Sequence, residues 1–155
     1  TPSPPPPRST VIREATLEDI PEVVQMVVDF ADSTKSRQKF EVNPERVDSF
    51  VREVINNSDG HVLVLEENGN LVGMIGIFIY PHQYSGERVA TEFAWWVTPE
   101  ARESGVKLLR KAESWAREKG AKSMIMVALT EKVGKFYERL GYHHIEDNYE
   151  LRIGE

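Results

Sequence analysis

Glu92 is the one acidic residue in the otherwise apolar or neutral run 89–97, VATEFAWWV. A carboxylate set among Phe93, Ala94, Trp95 and Trp96 is costly to desolvate unless its side faces a cleft. Desolvation raises its pKa toward the range where a carboxylate accepts a proton at neutral pH. The chemistry that suits such a group is general-base catalysis. The run ends at Val97, a turn carrying Pro99 follows, and Arg102-x-x-Gly105 then opens an amphipathic segment. A strand feeding a helix through a glycine-containing turn presents unpaired backbone N–H groups at the positive end of the helix dipole, which suits a phosphate-bearing ligand. Gly105 lets the backbone come close to that ligand, and Arg102 can add a charge-assisted contact. Together these features predict a coenzyme site, with a proton acceptor on the strand that leads into it.

Other chemistries find less support. The chain has no cysteine, which excludes disulfides, thiolate metal sites and cysteine nucleophiles. Its four histidines, His61, His82, His143 and His144, show no ligand spacing that recurs with a carboxylate partner. Adjacent histidines in a strand face opposite ways, so no metal site is expected. His82 and Tyr84 in the loop 81–87, the polar segment 32–42, and Glu146 and Tyr149 are the residues that could line an acceptor pocket. Trp95 and Trp96 point to opposite faces of a strand. One is expected in the core, and the other is free to wall a pocket.

The elements that position these groups follow from pattern. A short strand over 11–15 precedes a helix capped by Thr16, with Asp19 three residues on. Ile20, Val23, Val24, Val27 and Val28 recur at helical spacing. Asn43-Pro44 starts a second helix. Strands over 61–67 and 71–80 flank Asn68-Gly69, a hairpin turn signal. After the strand 89–97 come a helix over 104–119 closed by Gly120, a buried strand over 122–129, a short helix from Thr130 to Gly141, and one or two last strands within 142–153. The first ten residues form a Pro-rich tail, TPSPPPPRST, whose prolines favour polyproline II. Residues 11–155 read as a single α/β domain with a mixed sheet.

At this point the chain resembles the GNAT superfamily of acyl-CoA-dependent N-acetyltransferases over roughly its whole folded part. The motifs that carry the resemblance are WVTPEARESG (96–105), Glu113-x-Trp115-Ala116-x-x-x-Gly120, and KFYERLGY (135–142). The Glu92-x-x-Trp95-Trp96-Val97 run also looks like acetyltransferases carried by bacteriophages. The resemblance implies a mostly antiparallel, twisted mixed sheet that splays after its fourth strand, flanked by about four helices. It places the pantetheine arm of acetyl-CoA in the gap, along Trp96 and Val97, and the pyrophosphate on Arg102, Glu103, Ser104, Gly105, Val106 and Lys107. Thr130 stands where the family often has an asparagine that touches the coenzyme. Tyr137 falls on the family's tyrosine near the coenzyme sulfur, the position of an acid for the departing thiolate. Phe136 and Leu140 fit the core stripe of that helix better than Tyr137 does. Lys107 and Ser104 depart from the pattern, since small residues are usual there.

The implied function is N-acetyl transfer from acetyl-CoA to a small-molecule or peptide amine by direct attack, with no metal. The competing reading is a non-catalytic domain that keeps the fold for binding or assembly, tethered through the Pro-rich tail. The formal net charge of −6 argues against nucleic-acid or membrane-surface partners, which call for a basic face. A homodimer through exposed strand edges fits the fold, and a reducing cytoplasm is the expected setting.

Overall fold

The computed structural model describes residues 2–4, 9–34 and 38–154. The polyproline reading of the first ten residues lies outside that set at residues 1 and 5–8. β1 (Thr10–Glu14) runs into a 3-10 turn, Leu17–Asp19, built around one carboxylate. Asp19 Oδ2 accepts the Thr16 N–H at 2.7 Å, and Arg13 donates to both Asp19 oxygens at 2.7 and 3.1 Å. The Arg13 hydrogen bonds hold the Asp19 carboxyl down to about 2. Because the folded pKa lies below the ordinary 3.8, the stability this gives is present above pH 4 or so and lost as pH falls through about 2. Asp19→Asn is expected to lower stability by about 1–2 kcal/mol at pH 7 and to flatten the acid limb of a urea-denaturation series.

α1 (Ile20–Ser33) buries Ile20, Val23 and Met26. α2 (Pro44–Ile55) starts as its sequence indicates, with Asn43 Oδ1 accepting the Glu45 and Arg46 amides. β2 (Gly60–Glu67) and β3 (Asn70–Pro81) form a hairpin. Its two turn residues, Asn68 (φ 52°) and Gly69 (φ 84°), take the left-handed conformation that a two-residue loop matching strand twist requires. β4 (Arg88–Val97) leads through a second 3-10 turn, Pro99–Ser104, into α3 (Gly105–Glu118). β5 (Ser123–Ile125) and α4 (Glu131–Arg139) follow.

The five strands lie in the order β1-β2-β3-β4-β5. All pairs are antiparallel except β4–β5, which is parallel. The mostly antiparallel mixed sheet and its four helices match the architecture expected of the sequence. α1 and α2 cover one face over Val62, Val64, Met74 and Ala94. α3 covers the other over Leu63, Leu65, Ile75 and Ile77.

One irregularity sets up the site. Gly76 opposes Ala94 while Ile77 opposes Glu92, so Phe93 has no counterpart on β3. The bulge switches which side of β4 faces which layer: Ala90, Trp95 and Val97 belong to the α3 side, whereas Phe93, Ala94 and Trp96 belong to the α1–α2 side. The bulged Phe93 ring lies over Gly76, where an added Cβ would sit 2.0 Å from Phe93 Cζ. Gly76→Ala is therefore expected to cost about 1–3 kcal/mol, read as a lower denaturant midpoint with an unchanged slope.

Three expectations are corrected. The strand expected over 122–129 stops at Ile125, because Val127 is drawn to a side chain rather than to the ladder. The helix expected from Ser104 begins as a 3-10 turn at Pro99, and the α-helix proper starts at Gly105. The last strands expected within 142–153 do not form. Residues 143–154 have no regular structure, since a strand needs a partner edge, and Glu150 Oε1 accepts the Lys39 amide instead, at 3.0 Å.

Candidate active site

On the β3 side β4 is paired from Arg88 to Val97 except at the bulged Phe93. On the other side it pairs with β5 only at Val89, Ala90 and Thr91. From Glu92 onward this edge of β4 is open, and the sheet parts at that point. Two side chains hold the parting chain in place. Glu92 Oε1 accepts the Val127 N–H at 2.9 Å, where a β4 carbonyl would otherwise stand. Tyr137, from α4, donates its hydroxyl to the Val127 carbonyl at 3.1 Å. Both main-chain polar groups of one residue are thus fixed by the two residues singled out for acid–base chemistry.

Glu92 is 3% exposed. Burial pushes its carboxyl up to about 7, against the lesser downward pull of the Val127 hydrogen bond. Its second oxygen, Oε2, is buried without a hydrogen-bond partner among the described residues, a costly state that a bound polar group would relieve. Burial raises the Tyr137 hydroxyl well above its ordinary range, and the nearby Glu92 carboxylate adds to this, so the phenol stays protonated. Tyr137 is the buried residue of α4, contrary to the expectation that Phe136 and Leu140 would fill the core stripe. Its flat face stacks on Trp95 with ring centres 6.2 Å apart.

Trp95 joins the two halves of the site. It also stacks on Phe136 at 6.1 Å, and its Cζ2 lies 3.7 Å from where a Cβ on Gly105 would stand. Its Nε1 is the other buried polar atom with no partner among the described residues. Trp96 faces the opposite layer, so only its main chain runs along the open edge, with that of Val97.

The residues expected to hold a pyrophosphate lie at the 3-10 turn and the start of α3. Arg102, Glu103 and Lys107 are exposed, Ser104 and Val106 are half-buried, and Gly105 is buried. The Gly105 amide donates to the Arg102 carbonyl, and the Ala101 amide to Thr98, so the turn already uses donors that the sequence suggested would be unpaired. Gly105 has φ −62° and room for a Cβ in ordinary contact with Val97 and Trp95. Neither the turn nor the packing demands a glycine there. Thr130 caps α4, its hydroxyl accepting the Val133 amide at 3.3 Å.

The structure brings together Glu92, Tyr137, Trp95, Val97 and Gly105. Sequence reasoning missed Val127, which acts through its main chain and so leaves no side-chain signal. It also left open which of Trp95 and Trp96 would wall a pocket, and Trp95 is the one that lies with Tyr137 and Gly105. His61 is stacked on Trp115 with ring centres 4.4 Å apart, and burial lowers its pKa. Among the described residues no group of three or more His, Asp or Glu could hold a metal, and no helix is long and apolar enough to cross a membrane. A cavity of about 480 Å³ opens beside the α1–α2 connection, lined in part by Val28, Asp32, Phe40 and Glu41.

A family model described as the Acetyltransferase (GNAT) family matches residues 24–142. Among solved structures, a putative acetyl transferase from Pyrococcus furiosus is 25% identical, with a TM-score of 0.76 over 94% of this chain and 100% of that one. A predicted acetyltransferase with acetyl-CoA from Clostridium acetobutylicum is 16% identical, with a TM-score of 0.78 over 94% of this chain and 97% of that one. A transcriptional regulator from Bacillus halodurans C-125 is 24% identical, with a TM-score of 0.73 over 94% and 100%. The curated proteins compared include no match.

Proposed function

The chain belongs to the GNAT family of acetyltransferases, and from that premise we propose that it moves an acetyl group from acetyl-CoA directly to an amine. The observation that carries this reading is the parted edge of β4, with Glu92 and Tyr137 meeting at Val127. An open strand edge offers unpaired main-chain groups, and the two amides of a pantetheine arm can pair with them as a strand would. At the far end of that edge lies the start of α3, whose dipole favours a diphosphate. Binding there exchanges the Gly105-to-Arg102 hydrogen bond for one to the ligand. Arg102 and Lys107 supply the charge at that end.

Acyl transfer to an amine forms a C–N bond and breaks the C–S bond, while one proton passes from the amine to the thiol. Glu92, with its carboxyl at about 7, is ionised often enough at neutral pH to take the amine's proton, directly or through a water. Tyr137 stays protonated and can turn its hydroxyl from the Val127 carbonyl to the departing sulfur. The chain has no cysteine, so no thiol of this chain carries the acetyl group. The acceptor is an amine. Asp32 and Glu41 at the cavity beside α2 favour one that carries positive charge.

The test is release of free thiol from acetyl-CoA with a panel of alkylamines, polyamines and lysine-containing peptides. At least one acceptor is expected to release thiol in proportion to the amide formed. Failure of acetyl-CoA to bind, together with no thiol release, would favour the rival reading of a non-catalytic domain.

A further inference from the structure

Two residues of the sequence motifs have no part in the proposed site, and they meet in space. Glu113 stands on α3, and Tyr142 stands just beyond α4. The Tyr142 hydroxyl donates to Glu113 Oε2 at 2.6 Å, a length that marks a charge-assisted bond. Arg110, one turn earlier on α3, donates to both Glu113 oxygens at 2.9 and 3.0 Å and to the Leu140 carbonyl at 3.1 Å. Burial and the bond to Glu113 raise the Tyr142 hydroxyl well above its ordinary range, so it keeps the proton it donates. Glu113 and Arg110 thus tie α3 to the end of α4. That end is linked in turn to the acid. Gly141, at φ 101°, turns the chain so that the Tyr142 amide returns to the Tyr137 carbonyl at 3.1 Å, a helix closure that brings the two side chains together. The Tyr142 ring accordingly lies 6.1 Å from the Tyr137 ring. Tyr137 is the one buried residue of α4, so packing alone holds this helix weakly.

We infer that Glu113 and Tyr142 are positioning residues for Tyr137, given the acid role proposed for it. The bond between them fixes α4 on α3, and so sets the reach of the Tyr137 hydroxyl from the Val127 carbonyl to the departing sulfur. α3 also opens at Gly105, about 12 Å along its axis from Glu113. The end where the diphosphate is proposed to lie and the grip on the acid therefore share one rigid element. The thioester and its proton donor are held to a common frame, and a small misplacement of either is costly in rate.

A double-mutant cycle on thiol release from acetyl-CoA tests this, with Tyr142→Phe, Tyr137→Phe and the two combined. Tyr142→Phe keeps the ring and the helix closure and removes only the hydroxyl, and an unchanged far-UV circular dichroism spectrum checks the fold. It is expected to lower kcat about tenfold and to leave affinity for acetyl-CoA within about twofold. The loss should shrink with acetyl thioesters of more acidic thiols, a signature of proton delivery to the leaving group that a general loosening of the fold would not give. In the Tyr137→Phe background the same substitution should change kcat by less than about twofold, because no acid remains to position. Glu113→Ala should repeat this pattern. Equal losses from Tyr142→Phe in both backgrounds, or no loss in either, overturn the inference while leaving acetyl transfer intact. A wild type that releases no thiol with any amine of the panel, or whose kcat is indifferent to Tyr137→Phe, overturns the acid role itself and the inference with it.

Discussion

Replacing Glu92 by glutamine is expected to lower kcat by about a hundred- to a thousandfold at pH 7 while leaving affinity for acetyl-CoA within about twofold. The substitution keeps an oxygen for the Val127 amide and removes only the capacity to take a proton. The wild-type rate is expected to rise with pH through about 7, where the buried carboxyl ionises, and the residual rate of the variant should be flat across that range. Stability gives an independent reading. In the folded chain Glu92 titrates at about 7 against an ordinary 4.5, so the folded state holds the proton more tightly than the unfolded one. The stability this confers is complete below about pH 4.5 and is lost as pH rises through about 7. Glutamine does not titrate, so above about pH 8 Glu92→Gln should be more stable than wild type by an amount on the order of 3 kcal/mol and melt at a correspondingly higher temperature. A less active, more stable variant at alkaline pH marks a buried carboxylate retained for chemistry. Loss of both activity and stability would mean that Glu92 only holds Val127.

Tyr137→Phe is expected to lower kcat by about a hundredfold with little change in coenzyme affinity. The ring keeps its stacking on Trp95, and only the hydroxyl is lost. Because that hydroxyl also ties down the Val127 carbonyl, a cost of about 1 kcal/mol in stability accompanies the change. The split between kcat and affinity separates an acid from a structural phenol. Thioesters with a better leaving thiolate should narrow the gap between variant and wild type, since they need less help from an acid. An equal loss of rate and affinity, unmoved by the leaving group, would assign Tyr137 to packing alone.

The parts of this site legible in the sequence are those with a local signal. An acidic residue inside an apolar strand is conspicuous because burial of a charge needs a reason, and Glu92 proves to be buried with a raised pKa. Asn43-Pro44, through a side chain that caps its own helix, and Asn68-Gly69, through their own backbone angles, fell where expected. The illegible parts depend on partners distant in the chain. Val127 is defined by which side chains reach its amide and carbonyl, 35 and 10 residues away, and any residue type but proline could stand there. In α4, a helix of 9 residues, too few turns exist for the apolar period to choose between Phe136 and Tyr137. Tyr137 goes inside because the Val127 carbonyl satisfies its hydroxyl. The bulge at Phe93, which exchanges the two faces of β4 in mid-strand, shows in the sequence only as a glycine at position 76 with no turn around it. The tail over 142–153 reads as strand by alternation, yet a strand is a pairing, and the pattern of one segment cannot name the edge it pairs with.

The most direct measurement is backbone hydrogen exchange across β4, with and without acetyl-CoA. In the free protein the amides of β4 that point to the β5 side beyond Glu92 have no strand partner and should exchange readily. The account predicts that saturating acetyl-CoA slows exchange of those amides between residues 93 and 97, together with the start of α3 around Gly105, by about tenfold or more. If acetyl-CoA binds while these amides exchange as before, the coenzyme does not lie along the parted edge, and the assignment of the site is wrong.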